Sequence, residues 1–152
     1  MALKLTIEAF VEGAIIPKQY TCDGADRSPA LAWSGEPAGT RGFTLIMDDP
    51  DAPVGTWNHW LLYDLPAGVH ELPEGFRPGD AGESGLNDYG KPGYGGPCPP
   101  ERHGTHRYFF KLFALDVPSL GLKAGARRAE LDHALKGHVI GEARYMGKYE
   151  RK

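Results

Sequence analysis

Four side chains in this sequence have the chemistry to bind ions or exchange protons, and they stand where apolar segments begin or end. They are Asp49, Asp51, His59 and His106. The two aspartates follow an apolar run that closes at Met47, and each histidine lies at or near the start of a later run. Carboxylates and imidazoles accept and donate hydrogen bonds and move protons. A polar pocket is therefore the first hypothesis.

Prolines at positions 50 and 53 shape the segment that carries the aspartates. A proline disfavours the helical conformation in the residue before it, so Asp49 and Ala52 are expected to be extended or in a turn. Residues two apart in an extended segment point to the same side, which brings both carboxylates toward one site, with Arg107 as a candidate counter-ion. The alternative interpretation is an ordinary surface turn, because Asp and Pro are common in turns.

Six segments are predicted to form the strands that position these groups, because their apolar residues either alternate with polar ones or follow one another without interruption. They are Leu3–Ile7, Ala30–Trp33, Phe43–Met47, Trp57–Tyr63, Arg107–Leu115 and Val139–Tyr149. One helix is predicted over Ala126–Lys136, where Leu131 and Leu135 are four residues apart and Gly137 follows. These elements predict a mainly β fold, an antiparallel β-sandwich with Greek-key-like connections and one or two short helices, formed by residues 1–152 as one domain.

The stretch from Pro73 to Pro100 is rich in Gly and Pro and is predicted to be a long irregular loop that walls the site. Antiparallel neighbours place the end of one strand beside the start of the next, so the aspartates and both histidines are expected to meet at one rim of the sandwich. Gly95 and Gly96 permit close backbone approach, and their amides are expected to face an anion.

Composition narrows the classes of partner and location. A formal net charge of -3, from 17 basic and 20 acidic residues, leaves no basic stripe, so nucleic acid is not an expected partner. The N-terminal segment alternates apolar and polar residues, unlike a signal peptide, and no apolar run is long enough for a membrane span, so a cytoplasmic protein is expected. Cys22 and Cys98 are expected to be free thiols, with a disulfide or redox role as the open alternative.

The remaining histidines are expected to be ordinary surface or core residues: His70, His103, His133 and His138. His103 stands out among them because it lies three residues before His106. Trp33 and Trp57 are expected to pack in the core or at the rim. No metal-binding histidine pattern and no serine nucleophile accompanies the motifs, so no metal or cofactor is predicted. An acid–base or metal-assisted hydrolase that uses the Asp/His cluster is the alternative to a binding protein.

Several motifs together resemble the phosphatidylethanolamine-binding protein family, in particular its bacterial and archaeal branch of Raf-kinase-inhibitor-like proteins. The motifs are Thr21-Cys22-Asp23-Gly24, Ser28-Pro29-Ala30-Leu31-Ala32-Trp33, Asp49-Pro50-Asp51-Ala52-Pro53, Trp57-Asn58-His59-Trp60, Gly95-Gly96-Pro97-Cys98-Pro99-Pro100 and Thr105-His106-Arg107-Tyr108. They occur in the order of the family and extend over nearly the whole chain.

The resemblance implies a β-sandwich with a small pocket for phosphate-like anions, including phospholipid heads in some members. It implies that Asp49, Asp51, His59 and His106 bind the ligand, and that Gly96, Pro97 and Tyr108 belong to the motifs that form the rim. Members regulate kinases or inhibit serine proteases, so a protein partner of that kind is also implied. The tyrosines near the C-terminus suggest a sheet face or a homodimer contact.

An anion beside two aspartates is repelled unless protons or cations intervene. The hypothesis is that one imidazole is cationic and that one aspartate is protonated or paired with Arg107. Phosphate affinity is then expected to fall as the pH rises.

Overall fold

The computed structural model describes residues 2–152. Its elements in chain order are β1 (Lys4–Thr6), a 3-10 helix (Lys18–Tyr20), β2 (Leu31–Ser34), β3 (Gly42–Asp49), β4 (Trp57–Pro66), β5 (Glu71–Leu72), β6 (Glu83–Ser84), β7 (His106–Leu115), α1 (Arg128–Leu135) and β8 (Val139–Tyr149). The six predicted strands and the predicted helix are all present, with boundaries that differ by a few residues. Strands β5 and β6 are additions to the prediction, whereas the 3-10 helix is a second short helix within the one or two that were expected.

Within residues 2–152 the strands form two antiparallel sheets. The smaller sheet has the order β1-β2-β5, and the larger has the order β6-β4-β3-β7-β8. Strands β3, β4 and β6 lie side by side, and β7 then returns to the other edge of β3, which is the connection of a Greek key. The predicted antiparallel sandwich with Greek-key-like connections is confirmed.

Strand β3 is the centre of the larger sheet, and all eight of its residues are buried. Phe43, Leu45 and Met47 face the core between the two sheets. Ile46 belongs to a second cluster of apolar side chains on the opposite face, beneath α1. The continuous apolar run before Asp48 thus reflects a strand that is covered on both faces.

Helix α1 covers this second face through Leu131 and Leu135, which are both buried. Their spacing of four residues places them on one side of the helix, as predicted. Gly137 follows the helix with φ of 81°, the left-handed conformation that often ends helices and that glycine adopts without strain. No helix in residues 2–152 is long and apolar enough to cross a membrane.

The loop between β5 and β7 is irregular apart from the two residues of β6, as predicted, and it is tied to the N-terminal part of the chain. The Cys22 amide donates to the Pro97 carbonyl at 3.1 Å, and Cys22 and Cys98 form a disulfide. The prediction of two free thiols is therefore wrong. The sequence did not reveal this disulfide, because the two cysteines are 76 residues apart and meet only in the folded protein.

The disulfide also bears on the predicted cytoplasmic location, because such bonds persist mainly in oxidising compartments. That location stays a prediction.

Candidate functional site

The three buried polar side chains of the site come from three neighbouring strands. Asp49 is the last residue of β3, His106 is the first residue of β7, and His59 is the third residue of β4. Because β3 pairs with β4 on one side and with β7 on the other, all three side chains meet at one end of the larger sheet. Each is about 2 % exposed, so the polar groups lie inside the protein and not on a surface turn.

A β-bulge turns His59 toward this end of the sheet. Met47 of β3 pairs with Trp60, whereas the next residue, Asp48, pairs with Asn58. His59 is therefore the extra residue on β4, and a bulge of this kind re-aims a side chain and locally increases the twist of the strand. The alternation of apolar residues in the sequence gives no sign of this irregularity.

The backbone of the Gly/Pro loop fixes the His59 ring. His59 Nδ1 lies 2.7 Å from the Gly95 carbonyl oxygen, and the Gly95 amide donates to the His59 carbonyl at 2.9 Å. A carbonyl can only accept, so Nδ1 carries the proton of this hydrogen bond. Burial lowers the pKa of His59, although the Gly95 carbonyl and the charge of Asp49 oppose that shift. His59 is thus neutral at pH 7, and its Nε2 presents a lone pair.

Asp49 and His106 form a buried pair. His106 Nδ1 donates to Asp49 Oδ2 over 2.6 Å, and the Asp51 amide donates to Asp49 Oδ1 over 2.7 Å. The other nitrogen of the ring, His106 Nε2, lies 2.6 Å from Nδ1 of His103. Asp49 is therefore bonded at both oxygens, and His106 at both nitrogens.

Asp51 does not join this pair. Its carboxylate accepts two hydrogen bonds from the Arg107 side chain, from Nε and Nη2 at 2.8 Å each, and one from the Arg107 amide at 2.9 Å. Arg107 lowers the pKa of Asp51 to about 2. The expected pairing with Arg107 is present, but the two carboxylates do not converge on one site. The chain turns at Pro50, so the rule for an extended strand does not apply beyond Asp49.

A cavity of about 240 Å³ opens beside the buried polar groups. Its walls are Asp49, Ala52, Pro53, Val54, Trp57, His59, Tyr89, Cys98, Pro99, Pro100, His106 and Tyr108. Asp49, the two imidazoles and the hydroxyls of Tyr89 and Tyr108 are thus the ionisable groups of a mainly apolar and aromatic wall. Asp51 is not part of it.

The Tyr108 hydroxyl is buried near the Asp49 carboxylate, but it has no partner at hydrogen-bonding geometry among residues 2–152. Burial raises the pKa of Tyr108, and the negative charge of Asp49 raises it further. The hydroxyl therefore keeps its proton. A buried donor without an acceptor is costly, and such groups in folded proteins commonly mark a place that a ligand or water completes.

Gly96 and Pro97 do not line this cavity, and both are bonded to other segments of the chain. The Gly96 amide donates to Asp26 Oδ1 at 2.8 Å, and the Tyr89 hydroxyl donates to the Gly96 carbonyl at 2.9 Å. A Cβ at Gly96 would meet the Tyr20 carbonyl oxygen at 2.3 Å, so no larger residue fits. The Gly95 and Gly96 amides are both used within the protein, and the expectation that they face an anion is wrong.

Two aromatic residues complete the wall. Tyr89 packs edge-on against Trp57 and His59, with ring centroids 5.5 Å and 5.7 Å apart. Trp57 lies at the rim, as expected, whereas nothing in the sequence singled out Tyr89 in its irregular loop. Burial raises the pKa of Tyr89 to about 12.

Among the other histidines, His70 pairs with Glu36 and His138 pairs with Asp116 near the surface, as expected of ordinary surface residues. His103 differs, because it contacts a residue of the site. No group of three or more potential ligand residues within residues 2–152 is arranged to hold a metal ion.

The fold and this end of the larger sheet define an antiparallel β-sandwich with a small cavity at its rim, whose mainly apolar wall carries Asp49 and two imidazoles. The family model described as phosphatidylethanolamine-binding protein matches residues 6–150. The chain belongs to the phosphatidylethanolamine-binding protein family, which confirms the resemblance found in the sequence.

Relatives and solved structures agree with this assignment. A protein of Aquifex aeolicus named UPF0098 protein is 52% identical over 146 residues, which cover 94% of this chain and 85% of that protein. The crystal structure of a phosphatidylethanolamine-binding protein homolog from Chlamydia trachomatis is 40% identical, with a TM-score of 0.91 and 99% of both chains covered. Escherichia coli YbcL, described as a member of the mammalian family, is 31% identical, with a TM-score of 0.92 and both chains covered completely.

Proposed function

We propose that the cavity binds a small tetrahedral anion, of the kind presented by a phosphate group, through hydrogen bonds from Tyr108 and a protonated His59 and through the positive charge of a protonated His106 beside Asp49. The observation that carries this proposal is the Tyr108 hydroxyl, a buried donor that keeps its proton, lies near the Asp49 carboxylate and makes no hydrogen bond of ordinary geometry among residues 2–152. An anionic oxygen in the cavity would satisfy it with a charge-assisted hydrogen bond. A cavity of about 240 Å³ suits a small headgroup-sized ligand.

The carboxylate of Asp49 does not prevent anion binding, because its charge is already directed to His106. The two groups are 2.6 Å apart and almost completely buried, so a cationic His106 would neutralise Asp49 within the protein. His59 is neutral at pH 7 and offers a lone pair, so it becomes a donor to an anion only when Nε2 gains a proton. His106 likewise becomes cationic only when its second nitrogen gains a proton, and Asp49 favours that form. We therefore expect anion binding to take up a proton, at His106 or at His59.

Proton uptake fixes the sign of the pH dependence. The bound anion stabilises the cationic form of an imidazole, so affinity is highest at low pH and falls as the pH rises. Sulfate is the sharper probe, because its own charge is constant over this range, whereas that of phosphate changes. We expect sulfate affinity by calorimetry to fall at least about tenfold from about pH 5.5 to about pH 8. Affinity that is constant or that rises with pH would contradict the proposal.

The Tyr108→Phe variant tests the hydroxyl directly. We expect it to lower sulfate affinity about tenfold, the effect of one hydrogen bond to a charged group, with little loss of stability because no partner is orphaned. The matched control is Tyr145→Phe, since the Tyr145 hydroxyl donates to the carbonyls of Ile7 and Phe10 away from the cavity. This control should lose stability and keep its sulfate affinity. Equal affinities of Tyr108→Phe and the unchanged protein would refute the assignment.

Hydrolysis is less well supported than binding. A general base needs an oxygen or nitrogen that is free to take a proton from a substrate or water. Each oxygen of Asp49 already accepts one hydrogen bond, from His106 or from the Asp51 amide, which lowers its basicity toward a substrate. Among the described residues His59 Nε2 is the better candidate base, because His59 makes its hydrogen bond through Nδ1, and no acid is paired with it.

A kinase or serine protease partner and a homodimer are further proposals. The mouth of the cavity includes Val54, which is 79% exposed, next to Pro53. Exposed apolar residues beside a cavity suit a contact with another chain. Native mass spectrometry of the freshly purified protein would report the oligomeric state and any bound small molecule together.

A further inference from the structure

His103 is an exposed residue that contacts the buried site without lining the cavity. Its Nδ1 lies 2.6 Å from His106 Nε2, and the two ring centroids are 4.8 Å apart. His106 Nδ1 in turn donates to Asp49 Oδ2. These contacts form a hydrogen-bonded chain that runs from solvent to the buried carboxylate, in the order His103, His106, Asp49.

The proton positions in this chain follow from the chemistry of its members. An ionised carboxylate only accepts, so His106 Nδ1 carries a proton. When both rings are neutral, His106 Nε2 accepts a hydrogen bond from the proton on His103 Nδ1. The remaining nitrogen, His103 Nε2, then holds a lone pair at the surface.

A single proton from water converts the chain to its cationic form. It binds His103 Nε2, and the proton on His103 Nδ1 moves over 2.6 Å to His106 Nε2. His106 is then an imidazolium beside the Asp49 carboxylate, and His103 is neutral again with the opposite nitrogen protonated. One proton enters and one positive charge appears in the buried site, without any rearrangement of the backbone.

We propose that His103 is a positioning residue that sets the protonation of His106 and supplies the proton taken up when the cavity binds an anion. The effect on anion binding rests on the proposed function, whereas the effect on His106 does not. His103 then acts through His106 and has no contact with the ligand.

Other ionisable groups surround the two rings. On the loop that carries His103 they are Glu101 and Arg102. From the other elements they are Asp49, Asp51, His59, Tyr89, Arg107, Tyr108 and Tyr149. Arg107 is held by Asp51, and burial raises the pKa values of Tyr89 and Tyr108, so those tyrosines stay neutral across the range of histidine titration. Exchange with His103 is thus the direct route for a proton to His106 Nε2.

The test compares two variants of His103. His103→Phe keeps an aromatic ring and removes both nitrogens, whereas His103→Gln keeps a hydrogen-bonding group that cannot carry a charge. Ring ¹⁵N NMR of the anion-free protein, followed from about pH 5 to pH 8, reports the protonation of His106 Nε2. Calorimetry with sulfate reports binding over the same range. His133→Phe, at an exposed position in α1, is the matched control.

In His103→Phe we expect the midpoint of His106 protonation to move to lower pH by about one unit, which is a tenfold loss in proton affinity. Sulfate affinity near pH 6 should fall about tenfold, and that near pH 8 should be unchanged. In His103→Gln the side-chain oxygen can accept from His106 Nε2, so sulfate affinity near pH 6 should recover to within about threefold of the original. His133→Phe should resemble the unchanged protein.

An unaltered His106 titration in folded His103→Phe would overturn the proposal. If the Phe variant is unfolded by circular dichroism, the Gln variant decides: a His106 midpoint and tautomer identical to those of the unchanged protein at every pH, with unchanged sulfate affinity, would also overturn it. If the unchanged protein binds no sulfate, the proposed function fails, and the NMR titration still tests the control of His106 by His103.

Discussion

Asp48 and Asp49 are adjacent, buried aspartates that point to opposite faces of the larger sheet, and they are neutralised in different ways. Asp48 Oδ2 accepts from Lys111 Nζ at 3.0 Å and from Arg128 Nη1 at 2.9 Å. Asp49 instead accepts from the ring of His106 and from a backbone amide. The first carboxylate lies under α1, whereas the second lines a cavity.

The difference separates a structural ion pair from a site that can respond to a ligand. Lys and Arg keep their charge at physiological pH, so the surroundings of Asp48 have a fixed electrostatic state. A histidine gains or loses its charge in that range, so the charge beside Asp49 can change with pH or with a bound anion. Two neighbouring aspartates thus serve different purposes because successive residues of a strand face opposite sides.

The largest expected effect is on the Asp48 side. Asp48→Asn leaves Lys111 and Arg128 without their shared carboxylate, and breaking a buried ion pair typically costs about 3 kcal/mol or more. Both cations are about a quarter exposed and can turn toward water, so we expect a loss of about 3 kcal/mol in the free energy of unfolding, measured with urea. The affinity for sulfate and its pH dependence should be retained. A change in that pH dependence would show that the two faces are not independent.

Asp49→Asn should have a smaller effect on stability and a larger effect on binding. The amide can accept from His106 Nδ1, but its NH₂ group cannot accept from the Asp51 amide, so we expect a loss of about 2 kcal/mol in unfolding free energy. A cationic His106 also loses its counter-charge, so the contribution of His106 to the pH dependence should be lost and sulfate affinity should fall less steeply as the pH rises. Calorimetry at several pH values, with Asp48→Asn as the matched control, measures both. If Asp49→Asn keeps the original pH profile, the pair with His106 does not set the charge of the cavity.

The position of the site was predictable because it depends on strand ends and on strand pairing. The run before Asp48 predicts β3, and the aromatic runs after Asn58 and His106 predict β4 and β7. Antiparallel pairing then brings the polar ends together. The helix was predictable for a similar reason, since Leu131 and Leu135 show its period directly.

The details that decide the chemistry were not predictable, because they depend on contacts between segments that are distant in sequence. The bulge at His59 is a change of register between two strands. Gly95 forms a hydrogen bond with His59, and Tyr89 packs against the His59 ring. Both residues lie in a loop whose sequence has no periodic hydrophobic pattern. The disulfide and the contact of His103 with His106 are likewise products of the fold.

The smallest expected effect on stability concerns Asp51, a third aspartate, which is paired with Arg107 at the surface. It serves as a control for the comparison of Asp48 with Asp49. Its folded-state pKa of about 2 lies below the ordinary value, so the pair with Arg107 stabilises the fold above about pH 4 and ceases to do so as the pH falls through about 2. We expect Arg107→Met to lower Tm by no more than about 3 °C at neutral pH, since exposed ion pairs contribute little.

The difference in Tm between Arg107→Met and the unchanged protein should shrink as the pH approaches 2.5. Thermal unfolding of both proteins in a series of buffers down to that pH measures it. Sulfate affinity should stay within about twofold at each pH, because Asp51 does not line the cavity. A tenfold loss of affinity in Arg107→Met would place Asp51 and Arg107 in the binding site. Asp51 would then not be a surface aspartate without a role in binding, and the distinction between Asp51, Asp48 and Asp49 would not hold. The affinity for the anion would depend on a charge that lies outside the wall of the cavity.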